Sequence, residues 1–211
     1  MPHAFLGSDL SREDLPKLMS AAHLEFLKPQ DLDLEVARLL AKGKVVARVA
    51  GAMEYGPRAL GNRSILYQAT DPTVNDWLNH KLCRSEFMPF APMLLREDAG
   101  AMLKGYSAQN AHAAEFMTIT YDCTEQCKRE SPAVVHVDGT ARPQIIEASA
   151  NPRCHRILKL YKELTGLRSI INTSYNMHDE PIVRTADEAI RAFLQSQLDY
   201  LVLDEYLAWR P

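Results

Sequence analysis

Short runs rich in valine, isoleucine and leucine alternate along this chain with stretches whose apolar residues recur at helical spacing. That alternation restricts the chain to a mixed α/β fold. Lys44 to Ala50 (KVVARVA) and Ser64 to Ala69 read as buried strands. Phe116 to Tyr121, Ala133 to Val137, Ser169 to Ile171 and the closing run Tyr200 to Leu203 read the same way. Between them lie the helices. Ser11 and Asp14 have capping-box spacing before the first. Asp31-Leu32-Asp33 opens the second, whose Leu34, Val36, Ala37, Leu39 and Leu40 precede a C-capping Gly43. Asp71-Pro72-Thr73 starts a third, Ala99 to Leu103 is helical, Arg153 to Leu164 closes at Gly166, and Thr185 opens the last. Two prolines in Glu86 to Leu95 exclude a regular central element throughout that segment, and the polar run Lys104 to Ala114 reads as a loop. No repeat or linker-like tract divides residues 1–211, so one domain is expected.

Charge narrows the function classes. The 24 Lys and Arg against 27 Asp and Glu leave a net charge of -3, which argues against a general nucleic-acid binder. A small anion held by a few arginines remains compatible with it. No run approaches membrane-spanning length, and the first residues lack the basic and apolar regions of a secretory signal, so a cytoplasmic protein is expected. The four cysteines then read as reduced thiols. Cys123 and Cys127 have helical spacing for a metal, but Cys154-His155 is the nearest completion and no second close pair exists, so no metal site is assigned.

The most informative segment is Gly56-Pro-Arg-Ala-Leu-Gly-Asn-Arg-Ser64. Its glycines bracket four residues, as in a nucleotide P-loop, yet Asn62 and Arg63 stand where that motif needs Lys and then Ser or Thr. Glycines nonetheless let backbone N–H groups approach an oxyanion, and Arg58 and Arg63 carry planar forks suited to phosphate or carboxylate. The competing reading is a turn whose arginines pair with Glu54 or another internal acid. Lys81 and Arg84 lie three apart near a helix end, where dipole stabilisation alone accounts for cations. His136 to Arg142 follows a strand and contains the turn pair Asp138-Gly139, so Arg142 reads either as exposed or as ligand-facing. Asn172-Thr173-Ser174-Tyr175-Asn176 follows an apolar strand, at the kind of strand end where α/β folds bind ligands, and is otherwise a polar turn.

Glu54 to Ile65, Phe87 to Pro92, Val137 to Arg142, and Asn172 to Asn176 with Glu180-Pro181 together resemble the C-terminal domain of the O-carbamoyltransferases. That family includes nodulation-factor and antibiotic carbamoyltransferases, and the resemblance runs from about Phe5 to the last strand. It implies a YrdC-like fold, a twisted open mixed sheet flanked by helices. It implies binding of carbamoyl phosphate and ATP, with Mg²⁺ arriving on the nucleotide, and formation of a carbamoyl-adenylate. A Kae1-like partner domain or subunit, absent from this chain, would then transfer the carbamoyl group to an acceptor hydroxyl.

By this resemblance Arg58, Arg142 and Ser174 are the expected catalytic residues. Arg63, Lys81, Arg84, His136, Asn172, Thr173 and Asn176 are the expected substrate-binding ones. Two departures stand out: the lysine usual two residues before the arginine is here Lys81, three before Arg84, and Met88 replaces a common arginine. A non-catalytic nucleotide- or RNA-binding module and a scaffold subunit are the competing functions, and the acidic balance weighs against RNA.

Overall fold

The computed structural model describes residues 3–83 and 89–211. The elements run α1 (Leu15–Ala21), β1 (Glu25–Leu27), α2 (Leu32–Ala41), β2 (Val46–Val49), β3 (Arg63–Gln68), α3 (Val74–Lys81), β4 (Ala91–Leu95) and α4 (Arg96–Met102). They continue with α5 (Ala111–Ala114), β5 (Tyr121–Asp122), α6 (Glu125–Glu130), β6 (Thr140–Ala141) and β7 (Gln144–Ile146). The chain closes with α7 (Pro152–Thr165), β8 (Ser169–Ser174), α8 (Ala186–Ser196), β9 (Tyr200–Leu203) and β10 (Tyr206–Trp209).

Eight strands form one mixed sheet in the order β1-β10-β9-β2-β3-β8-β4-β7. The β2–β9 and β4–β7 pairs are parallel; the other neighbours are antiparallel. Successive strand side chains alternate faces, and that alternation divides the core. Ala47, Val49, Ile65 and Ile171 pack with Leu15 of α1, Leu78 of α3 and Phe193 of α8. Val46, Leu66, Met93 and Ile170 turn the other way, onto Val36 and Leu40 of α2 and Leu158 and Tyr161 of α7. Helices therefore cover both faces of a twisted open sheet, the expected fold class. A smaller cluster containing Met102, Tyr121, Cys123, Cys127 and Ala141 packs on Leu94 and Ile145 beside β7.

Several helix boundaries follow their capping residues. The Asp31 carboxylate accepts the Leu34 N–H, the Asn151 side chain accepts the Cys154 N–H, and Thr185 and Glu188 close a capping box. Gly43 and Gly166 end α2 and α7 at positive φ. At α1 the expected capping box does not form. Asp14 is the cap, with φ 63° and no side-chain capping hydrogen bond, its carboxylate pairing instead with Lys17, and Pro16 occupies the first turn.

Three strand and loop assignments are corrected. Phe116 to Tyr121 is mostly turn and irregular, with Met117 at φ 55°, and only Tyr121 enters a strand. Phe116 and Met117 instead pack with Ala4, Leu60 and Ala91, so tertiary packing overrides β propensity. Ala133 to Val137 begins with a 3₁₀ turn over Pro132–Val134, held by the Ala133 N–H donating to the Ala69 carbonyl. Within Glu86 to Leu95 the regular element is confined, among the described residues, to the fully buried strand Ala91–Leu95, which takes in Pro92 because pairing with β7 begins only at Met93. The chain does not close on Tyr200–Leu203, because Asp204, at φ 53°, turns it into β10.

Candidate functional site

The loop between β2 and β3 is shaped from beneath by Glu54, which is 5% exposed. Its Oε1 accepts the backbone N–H groups of Leu60 at 2.6 Å, Asn62 at 2.8 Å and Arg63 at 3.2 Å. Glu54 thus gathers amides, where the sequence had offered it to the arginine side chains. Gly61 sits at φ 116°, and a β-carbon there would lie 2.6 Å from Cys154 Sγ. The loop cannot rise, and it carries Arg58 along its edge.

Arg58 faces a small concavity of about 40 Å³, lined also by Pro57, Ala59, Pro89, Ala91, Met117, Arg142, Asn172, Thr173 and Ser174. A wider hollow of about 560 Å³ adjoins it and shares Arg58 and Arg142. The hollow is of a size that admits a small organic ligand. Each wall has its own origin. Arg142 leaves β6 just before Pro143, and Asn172, Thr173 and Ser174 are the last residues of β8. The antiparallel β3–β8 register sets Ser174 opposite Ser64, at the root of the loop.

Arg58 and Arg142 have no hydrogen bond or ion pair to another described residue, and Arg142 Nε is buried without a partner. Burial holds Arg142 below its ordinary pKa, and the neighbouring Arg58 cation lowers it further. Two guanidinium groups sharing a recess without a described carboxylate form a site for an anion. Ser174 Oγ donates to Asn176 Oδ1 at 2.7 Å, and the Asn176 amide donates to the carbonyls of Met177 and Glu180, which fixes the chain as it leaves β8.

Five expected site residues therefore come together: Arg58, Arg142, Asn172, Thr173 and Ser174. Four of the others stand elsewhere. Arg63 is 0% exposed, and its guanidinium donates to the carbonyls of Ala50, Asn62, Gly51 and Arg184. Lys81 Nζ donates to the Gln197 carbonyl at 3.0 Å and lies over the Trp77 ring. Asn176 braces the loop after β8. His136 pairs with Thr140 Oγ1 through Nδ1, one hairpin away from the pocket wall. Burial, then the Arg142 charge, lower its pKa against the opposing pull of Asp138. Arg84 lies outside the described residues.

Reading the sequence missed Gln144 and the supporting role of Glu54. Gln144 is 3% exposed and bonds both the Leu60 carbonyl and Asn172. A polar residue between Pro143 and the apolar pair Ile145-Ile146 was the available signal. The thiols considered for metal are dispersed: Cys123 and Cys127 share the small cluster beside β7, whereas Cys154 packs on Gly61. Among the described residues no helix is long and apolar enough to cross a membrane.

A family model described as "Carbamoyltransferase C-terminus" matches residues 37–210. The nodulation protein NolO of Bradyrhizobium diazoefficiens is 35% identical over 98% of this chain and 38% of its own length. The 3'-hydroxymethylcephem-O-carbamoyltransferase of Streptomyces clavuligerus is 35% identical over 72% of this chain and 28% of its own. The chain spans 34% to 38% of the length of four curated relatives that it matches. Among solved structures, full-length HypF in a phosphate- and nucleotide-bound form superimposes with a TM-score of 0.59 at 17% identity, covering 84% of this chain and 25% of that one. A P. abyssi Sua5 variant gives a TM-score of 0.59 at 13% identity, over 84% and 51%. At these identities HypF and Sua5 speak for the shared YrdC-like fold alone. With the family match covering most of its length, the chain belongs to the carbamoyltransferase C-terminus family.

Proposed function

We propose that this chain binds carbamoyl phosphate and ATP and forms a carbamoyl-adenylate: water cleaves carbamoyl phosphate to carbamate and phosphate, and the carbamate oxygen then attacks the α-phosphorus of ATP, displacing pyrophosphate. The observation that carries the reading is the Arg58–Arg142 pair, two cations without a described counter-charge at the end of β8. Both ligands bring negative charge to one place. Arg58 and Arg142 offset that charge as it shifts toward the departing pyrophosphate, which is the main protein contribution in phosphoryl chemistry. Thr173 and Ser174 line the same pocket and orient oxygens there, with Ser174 set by its bond to Asn176. Mg²⁺ accompanies the nucleotide. The cephem carbamoyltransferase relative supports the carbamoyl donor, and the nucleotide-bound form of HypF is consistent with a nucleotide on this fold. Transfer to an acceptor hydroxyl is assigned to a Kae1-like domain or subunit acting with this chain as one domain, in the cytoplasm.

Exchange of labelled pyrophosphate into ATP tests the reading. Exchange that depends on carbamoyl phosphate and is abolished by Arg58→Met is expected, with the chain alone or with the partner domain added. A folded sample that binds both ligands but shows no exchange in either setting overturns it.

A further inference from the structure

Asn172 and Gln144 flank β4 and are 1% and 3% exposed. Gln144 Nε2 donates to the Leu60 carbonyl at 2.8 Å. Its Oε1 accepts from Asn172 Nδ2 at 2.7 Å, and the same Nδ2 donates to the Ala59 carbonyl at 3.0 Å. The two carbonyls are acceptors only, so they fix both amides. Turning Asn172 over would set its Oδ1 against the Ala59 carbonyl. Gln144 would then have to turn too, setting its Oε1 against the Leu60 carbonyl. One arrangement avoids both clashes. It leaves Asn172 Oδ1 as a buried acceptor with no partner among the described residues, on a residue that lines the pocket with Arg58 and Arg142.

An orphan acceptor in a buried site selects strongly for a ligand that brings an N–H, because a ligand without one leaves the oxygen unsatisfied. We propose that Gln144 is a positioning residue: it locks the Asn172 amide so that Oδ1 receives the N–H of a carbamoyl group, which makes the pocket select carbamoyl over acyl phosphates. The inference rests on the reading of the pocket as a carbamoyl phosphate site. It adds the atom that reads the carbamoyl nitrogen and the residue that holds that atom.

Two stable phosphonates differing only at the reading point test it by calorimetry on the full chain. Phosphonoacetamide ends in NH₂, and acetonylphosphonate carries a methyl in its place. The wild type is expected to prefer the amide by about tenfold or more. Gln144→Leu removes one of the two acceptors that hold Asn172 Nδ2, loosening the amide, and cuts the preference to about threefold or less, while acetonylphosphonate affinity stays within about threefold. Gln144→Glu still offers an acceptor to Asn172 Nδ2, so it keeps most of the preference while binding both phosphonates more weakly. A residue that merely filled space would not separate these two variants. If Gln144→Leu fails to melt cooperatively, Gln144→Met takes its place with the same expectation. Equal affinity of the wild type for both ligands overturns the Asn172 acceptor and leaves the anion site standing. Undiminished preference in Gln144→Leu or Gln144→Met overturns the role of Gln144. Binding of neither ligand overturns the carbamoyl phosphate reading itself.

Discussion

Arg58 and Arg63 stand five residues apart on one loop and live opposite lives. Arg63 is enclosed, its two terminal nitrogens donate to the carbonyls of Ala50, Gly51, Asn62 and Arg184, and the Glu54 carboxylate offsets part of its charge. Arg58 looks across a pocket at Arg142, and neither has a described partner. The same residue type is cross-bracing in one place and faces an open pocket in the other. What distinguishes them is which donors the fold has already used.

The comparison breaks first at Arg63. Arg63→Met leaves several buried carbonyls without a donor and removes a cation that the buried Glu54 interacts with. Denaturant unfolding should show a loss of about 3–5 kcal/mol, enough to unfold a marginal domain. Arg58→Met and Arg142→Met should behave in the opposite way. Each weakens phosphonate binding by about 1.5–3 kcal/mol, the usual worth of a hydrogen bond to a charged group, with stability held within about 0.5 kcal/mol. A large stability loss in either one would make it scaffold like Arg63.

Gly61→Ala probes the support under the loop. The positive φ and the 2.6 Å approach to Cys154 Sγ should together cost about 2–4 kcal/mol in the same unfolding assay. Adding Cys154→Ala should recover the steric part and leave the backbone part.

The smallest effect concerns pH. Burial, and then Arg142, hold the folded pKa of His136 below 6.5, so the fold favours the neutral ring. Its contribution is fully present above pH 6.5 and is lost as pH falls from there through the folded value. Thermal melts from pH 8 to pH 5 should show this decline, and Arg142→Met should make it shallower without removing it, because burial is the larger cause.

The sequence exposed the parts of this molecule that rest on local chemistry. Helix ends at Asp31, Gly43, Asn151, Gly166 and Thr185 announce themselves because a single side chain or a missing β-carbon decides each one. The core strands β2, β3, β8 and β9 were visible for a similar reason, since their apolar runs are buried on both faces. Phe116 to Tyr121 misled because its β-prone residues are needed elsewhere, under the loop and against Ala4. The prolines of Glu86 to Leu95 signalled an interruption but not where the strand begins, because what a proline costs a strand depends on where the neighbouring ladder starts, which is a property of the sheet. In the site, the motif positions Arg58, Arg142 and Asn172 to Ser174 were legible. The fate of Arg63 and Lys81 was not, because backbone carbonyls from Gly51, Arg184 and Gln197 claim them, and carbonyls leave no trace in a sequence.

The placement of β2 carries a consequence for how the chain is made. Its neighbour β3 follows soon after it, but its other neighbour, β9, lies in the final stretch. The Asp199 carboxylate reaches back 154 residues to accept the Val45 N–H. β1, near the start, waits in the same way for β10. A nascent chain therefore carries its pocket loop long before the sheet beneath that loop can close, and most of its central pairings are of the slow, non-local kind. The Arg63 guanidinium, whose partners include the carbonyl of Arg184, has its full set of acceptors only once the chain has been made through that residue, 121 positions later. The pocket loop thus becomes rigid long after it has itself been synthesised.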